Sequence, residues 1–186
     1  MVQLGKGRSG FVERLVRAAK LETALYEEVE ADTGALGQAM AVVILASVSA
    51  SVGSAVGRGI SDLIGFALIA LAAWYIWAAL IYLIGTRVLP STHTEADLGQ
   101  LLRTIGFAAA PGCVRLLGVI PVIGIIVFFV AVIWELVAMV VAVRQALDYD
   151  STGRAIGVCA VSWLIQLVVV GILLSLFAHP PPVVAT

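Results

Sequence analysis

Val119 to Val143 is a run of 25 residues with one charge, Glu135, which sits beside Trp134 and is flanked by Ile133 and Leu136. About 20 apolar residues wound as a helix cross the hydrocarbon core of a bilayer, so a chain holding this stretch has to place it in a membrane. A carboxylate inside such a span costs about 2.5–3.5 kcal/mol on insertion scales. Glu135 therefore calls for a partner or a task. The rest of the chain agrees with the membrane class. Of its 186 residues, 61% are hydrophobic and 12% are charged, about half the roughly 25% charge typical of soluble domains.

Three further spans carry no charge at all: Ala35 to Gly57, Leu63 to Ile84 and Ala155 to Ala178. A fifth, Leu101 to Gly118, contains Arg103, Pro111 and Arg115. Proline lacks a backbone donor and clashes with the preceding turn, so this helix is expected to kink near Phe107–Pro111. Basic residues concentrate in cytoplasmic segments. With five spans and a cytoplasmic N-terminus, nine lysines and arginines fall inside, and only Arg58 and Arg115 fall outside. If Leu101–Gly118 did not cross, the split would be eight to three, so the count favours five spans. The expected fold class is all-α, a polytopic five-helix membrane bundle preceded by an amphipathic cytoplasmic helix. Its expected division is a cytoplasmic segment 1–34, a transmembrane domain 35–178 and a short proline-rich tail 179–186. No cleavable leader is expected, because the first apolar run begins only near Ala35.

The first span is rich in small residues at helical spacing, among them Ala46 and Ala50, Ser47 and Ser51, and Gly53 and Gly57. Small residues four apart let helix backbones approach closely, which makes this a packing helix, either within the bundle or between subunits. The second span carries Trp74, Tyr75, Trp77 and Tyr82 and looks more lipid-facing. Tyr82 suits the aromatic belt, and the other three suit helix packing better. Ahead of the spans, Phe11, Leu15, Ala18, Leu25 and Val29 recur near the 3.6-residue period. They predict one amphipathic helix over roughly Gly10–Asp32, of a kind that can lie along a membrane surface. Its charge is segregated: five bases and one acid over residues 6–20, then Glu22, Glu27, Glu28, Glu30 and Asp32 without a base.

Counting residues from a turn at Val119–Pro121 puts Arg115 and Glu135 about 18 Å apart in depth at 1.5 Å per residue, and puts Arg103 level with Glu135. An Arg103–Glu135 ion pair near the cytoplasmic face is therefore expected, as a lock on helix register. Glu22, Glu27, Glu28, Glu30 and Asp32 read as a solvated face or as a docking surface for a basic partner, since anionic lipid repels them. His93, Glu95 and Asp97 are too sparse for a metal site, and Asp97 or a nearby threonine is expected to cap the next helix. Asp148–Arg154 reads as a turn and cap, and Gln166 as a hydrogen bond across helices. Cys113 and Cys159 lie in apolar stretches and behave there as small hydrophobes. The sequence holds no phosphate-cradling glycine loop, zinc-protease motif or plausible Ser/His/Asp set, so no catalytic residue and no cofactor are expected. Nucleic acid is not expected either, because no basic patch with interleaved aromatics occurs.

Several motifs follow one another in a recognisable order. They are Leu25-Tyr26-Glu27-Glu28-Val29-Glu30-Ala31-Asp32 running into Gln38-Ala39, Arg103 with Gly106-Phe107 and Pro111, Ile120-Pro121 with Gly124, Ile133-Trp134, and Val143-Arg144-Gln145-Ala146-Leu147. In this order they resemble the Yip1-domain family of multi-spanning membrane proteins, over roughly residues 10–178. The resemblance implies a five-helix bundle with a cytoplasmic N-terminal segment. For eukaryotic members it implies vesicle trafficking, membrane shaping and contact with Rab-type GTPases. Phe107 stands where a tyrosine commonly follows the glycine, and the Asp-Leu-Tyr-Gly-Pro pattern is absent. Both departures argue against a GTPase contact and for the bacterial type. The expected role is a non-enzymatic scaffold, assembly factor or accessory subunit in the inner membrane, with the bilayer and other membrane subunits or further copies of itself as partners. The alternative is a small channel or transporter with Glu135 in a polar cavity.

Overall fold

The computed structural model describes residues 9–54, 60–91, 94, 96–120 and 122–177, which form helices and no strand. Two short helices, α1 (Phe11–Ala19) and α2 (Thr23–Ala31), precede α3 (Leu36–Ser54), α4 (Ile60–Leu83), α5 (Leu98–Ala108), α6 (Gly124–Ala146) and α7 (Thr152–Phe177). A π turn, Ile84–Val88, extends α4, and a 3-10 segment, Ala110–Val119, extends α5. Five of these units are long and apolar enough to cross a membrane: Thr33–Gly53, Leu63–Val88, Leu98–Val119, Gly124–Ala146 and Thr152–Val169.

The central unit is the one with the weakest hydropathy. Leu98–Val119 is 56% buried, against 17% for each of the α4, α6 and α7 spans. Its arginines and proline are tolerated because protein surrounds it, while the more apolar helices face outward. As expected from Pro111, the α-helix ends at Ala108; the chain then tightens into 3-10 geometry with the proline in its first turn.

A seam of small residues joins α3 to this central unit, and the two run parallel. A Cβ on Gly106 would lie 2.7 Å from Ala39 Cβ, one on Gly112 would lie 3.2 Å from Ala46 Cβ, and one on Gly118 would lie 2.9 Å from the Gly53 carbonyl. On α3 the contacts recur every seven residues, two α-turns; on the partner they recur every six, two 3-10 turns. The small residues of the first span are thus used inside the bundle, with Ser47 turned to its own helix at Ile44 O and Ser51 buried. Gly57 lies outside the described residues. Trp74 and Trp77 pack on the core clusters, as their mid-span position suggested, whereas Tyr75 faces outward.

The expected single helix over Gly10–Asp32 is instead a hairpin. Leu21 takes φ 62°, and α1 closes with Glu22 N donating to Arg17 O and Leu21 N to Ala18 O. This is the Schellman arrangement that usually employs glycine. The hairpin does not lie flat on the end of the bundle. The Trp134 indole, near the middle of α6, donates to Ala19 O at 2.8 Å, while Glu27 accepts from Gln145 near the end of α6 at 2.9 Å. Leu25, Tyr26 and Val29 share one core with Ala39, Phe107, Ala138 and Ala142.

The C-terminus of α2, the Ile84–Pro90 stretch, the loop 147–151 and the first turn of α7 gather at one polar end. Tyr149 Oη lies 3.0 Å from Gly85 O and 2.7 Å from Leu89 O, and Arg154 donates to Pro90 O at 2.8 Å. Asp97 caps α5 in a capping box with Gln100, as the sequence suggested.

Candidate functional site

Glu135 lies eleven residues from either end of α6, so its carboxylate belongs to the middle of the helix. Its partner is Arg115 of the 3-10 segment, whose Nη2 donates to Glu135 Oε2. The expected Arg103–Glu135 pair is not formed. Two features of the chain explain the difference. The 3-10 segment ends at Val119 and α6 starts only at Gly124, so the count along α6 begins five residues later than at Val119. The 3-10 segment rises about 2.0 Å per residue rather than 1.5 Å, and a long arginine side chain spans the remaining offset. Gly112 makes the pair possible: a Cβ there would stand 3.0 Å from Arg115 Nη1 and 3.4 Å from Glu135 Oε1. The Arg115 guanidinium also lies 6.0 Å from the Phe128 ring centre.

Arg103 does something the sequence did not suggest. It is almost fully buried, and it donates through Nε to Val29 O at 3.0 Å and through Nη2 to Glu30 O. Those carbonyls belong to the last turn of α2, which has no intrahelical partners for them. A cation at a helix C-terminus also meets the negative end of the dipole. Arg103 is thus a cap delivered from α5, tying the hairpin to the central helix.

The acidic segment is neutralised largely from within. Buried Arg14 pairs with Glu28 at 3.0 Å and with Asp32 at 2.9 Å, and it reaches Gln38 Oε1 at 3.0 Å. Arg17 pairs with Glu22 at 3.0 Å and with Glu28 at 2.6 Å. Burial works to raise the Glu28 pKa, but hydrogen bonds from Ser9, Arg17 and Arg14 outweigh it and hold the carboxyl below its usual value. Glu30 is the exception. Burial, then the nearby Asp148, push it up to about 7 despite Arg103, with Glu27 and Asp97 adding to the rise. The segregated charge in the sequence is therefore the two halves of a hairpin facing each other. Arg14, the centre of that network, sits on the apolar face of α1 and was masked by its neighbours Phe11, Leu15 and Ala18.

Glu135 and Arg115 also border a cavity of about 750 Å3 lined by residues of α3, α4, α5, α6 and α7. Gln166 reaches the same cavity, but its Oε1 accepts no hydrogen bond among the described residues, so the expected bond across helices is not made there. His93 and Glu95 lie outside the described residues. No cluster of metal-binding side chains occurs among those described.

The Yip1 domain model matches residues 23–173, from the first residue of α2 to near the end of α7, leaving α1 ahead of the match. No curated protein and no solved structure matches the chain.

Proposed function

This chain belongs to the Yip1 domain family, and on that premise we propose that it is a non-enzymatic scaffold, assembly factor or accessory subunit of a membrane complex. The observation that carries this reading is how its ionisable side chains are used. Arg14, Arg17, Arg103, Arg115, Glu28, Asp32 and Glu135 all hold one helix to another or one half of the hairpin to the other. Chemistry on a substrate would need some of them free. The acidic hairpin is the proposed docking surface for a basic partner. Glu22 and Glu27 are its exposed members and Glu30 its half-buried one, while Glu28 and Asp32 fix the surface from beneath. The polar end is proposed to face the cytoplasm of a bacterial inner membrane, since Arg87, Arg144 and Arg154 flank it.

Purification in mild detergent tests the docking surface. A stoichiometric partner should copurify with the wild type and be lost from Glu22→Gln/Glu27→Gln at unchanged melting temperature. Retention of that partner by the variant, or a partnerless protein that conducts ions in liposomes, would overturn the reading. The channel alternative draws support from Glu135 bordering the cavity, but the arginine paired with Glu135 inside the packed bundle favours the structural role.

A further inference from the structure

The 750 Å3 cavity falls within the usual range for small-molecule sites, roughly 300–1,000 Å3, lined by apolar and aromatic groups with a few placed polar atoms. Its mouth includes Leu136 on α6 and Trp163 and Leu167 on α7, all of which are exposed on the outer face of the bundle. A ligand would therefore enter sideways from the bilayer. Water is a poor occupant of most of this volume, because each buried water needs two to four polar partners and the wall is mostly alanine, valine, leucine and tryptophan.

The polar atoms in this wall are unusual. The indole N–H groups of Trp74 and Trp77, the Nε–H of Arg115 and the Oε1 of Gln166 belong to residues that line it, and they are buried with no hydrogen-bond partner among the described residues. Buried polar groups are nearly always satisfied, and an exception asks for an occupant. The demand is greater facing lipid, which offers no water. Arg115 and Glu135 neutralise each other on the same wall, so a net charge entering the cavity would go unpaired. Three free donors, one free acceptor and no net charge describe the complement of an uncharged glycerolipid: two ester carbonyls and a hydroxyl oxygen to accept, the hydroxyl proton to donate, and an acyl chain for the apolar volume. We propose that this cavity is a binding site for a diacylglycerol-type neutral lipid, with the ester oxygens toward Trp74 and Trp77 and the hydroxyl between Arg115 Nε, from which it accepts, and Gln166, to which it donates. The site is separate from the acidic docking surface, and neither proposal depends on the other.

Tryptophan fluorescence reads the site directly. In Trp134→Phe/Trp163→Phe the remaining indoles are Trp74 and Trp77, both on the cavity wall. Diacylglycerol with dibrominated acyl chains, added to this variant in phosphatidylcholine nanodiscs, should quench saturably near one equivalent. Equally brominated phosphatidylglycerol and phosphatidylcholine should be at least about tenfold weaker, the loss expected when buried polar groups stay unpaired. Ala73→Leu, which fills the cavity, should abolish saturable quenching. Ala72→Leu, on the exposed face beside it, should not. In wild-type protein, lipid extraction and mass spectrometry should recover neutral glycerolipid near stoichiometry, and Ala73→Leu should lose it. Equal quenching by all three lipids, quenching that survives Ala73→Leu, or wild-type protein free of neutral glycerolipid would each overturn the assignment.

Discussion

The pairing of Glu135 is open to a double-mutant cycle. The side chains of Arg115 and Glu135 are 16% and 24% exposed, and Glu135 sits at the midpoint of a membrane-spanning helix. Removing one partner leaves the other as an uncompensated charge in a low-dielectric site, which costs about 3–5 kcal/mol. Glu135→Leu and Arg115→Met should each show a loss of that size, measured by unfolding in mixed micelles of mild detergent and SDS. The double variant replaces the pair with apolar volume and should recover most of the loss, since such swaps are often neutral or stabilising. The coupling energy is then expected at about 3 kcal/mol or more. Arg103 provides the contrast. It contacts Val29 and Glu30 rather than Glu135, so Arg103→Ala and Glu135→Leu should be additive within about 0.5 kcal/mol. Coupling below about 1 kcal/mol for Arg115–Glu135, or a comparable coupling for Arg103–Glu135, would refute the assignment.

Arg103→Ala should destabilise the protein by about 3–6 kcal/mol, from two charge-assisted hydrogen bonds worth about 1.5–3 each. Amide exchange should show α2 released first, and Arg103→Lys should restore about half the loss. Gly53→Ala drives a Cβ into the Arg115 carbonyl and should cost about 1–3 kcal/mol or more; Gly37→Ala, where a Cβ meets nothing, should not lower the melting temperature. Glu30 gives stability a pH dependence whose sign follows from its raised pKa. The native state keeps this proton up to about pH 7, whereas the unfolded carboxyl loses it near 4.3. Its contribution is therefore present at acid pH and lost as pH rises between those values. In melts at pH 4.5 and 7.5, Glu30→Gln should remove that decline; an unchanged pH profile would exclude Glu30 as its source.

The spans were legible because hydropathy is a property of windows, and a few residues of error leave a window's mean intact. The α6 boundary shows the limit. The sequence Val119–Ile123 is as apolar as the helix that follows, yet α6 starts only at Gly124, and Val122 and Ile123 form a turn, with Val122 at φ 76°. That shift of about five residues was enough to mispair Glu135. The break at Leu21 carries no glycine, asparagine or proline, so the sequence offers no local sign of a left-handed residue there. Asp97 was legible as a cap because capping depends on residues three apart. Arg103 was not, because it caps a helix more than 70 residues away.

Lipid tails are as apolar as leucine, so hydrophobicity alone does not bring these spans together. What specifies this bundle is a small set of directional contacts: the seven-against-six small-residue seam, the Arg115–Glu135 pair, and the Arg103 and Tyr149 hydroxyl contacts to backbone carbonyls. All four involve the central Leu98–Val119 unit or the polar end, and none involves the outward faces of α4 and α7. Substitution of apolar residues on those faces changes only what meets lipid, whereas one methyl group at Gly53 meets backbone. The seam also explains the pitch of the central unit. Continued as an α-helix beyond Pro111, six residues would turn about 600° and leave Gly118 about 120° away from the face that carries Gly112. In 3-10 geometry six residues make two full turns, so the tighter helix brings Gly118 back to the face that meets Gly53.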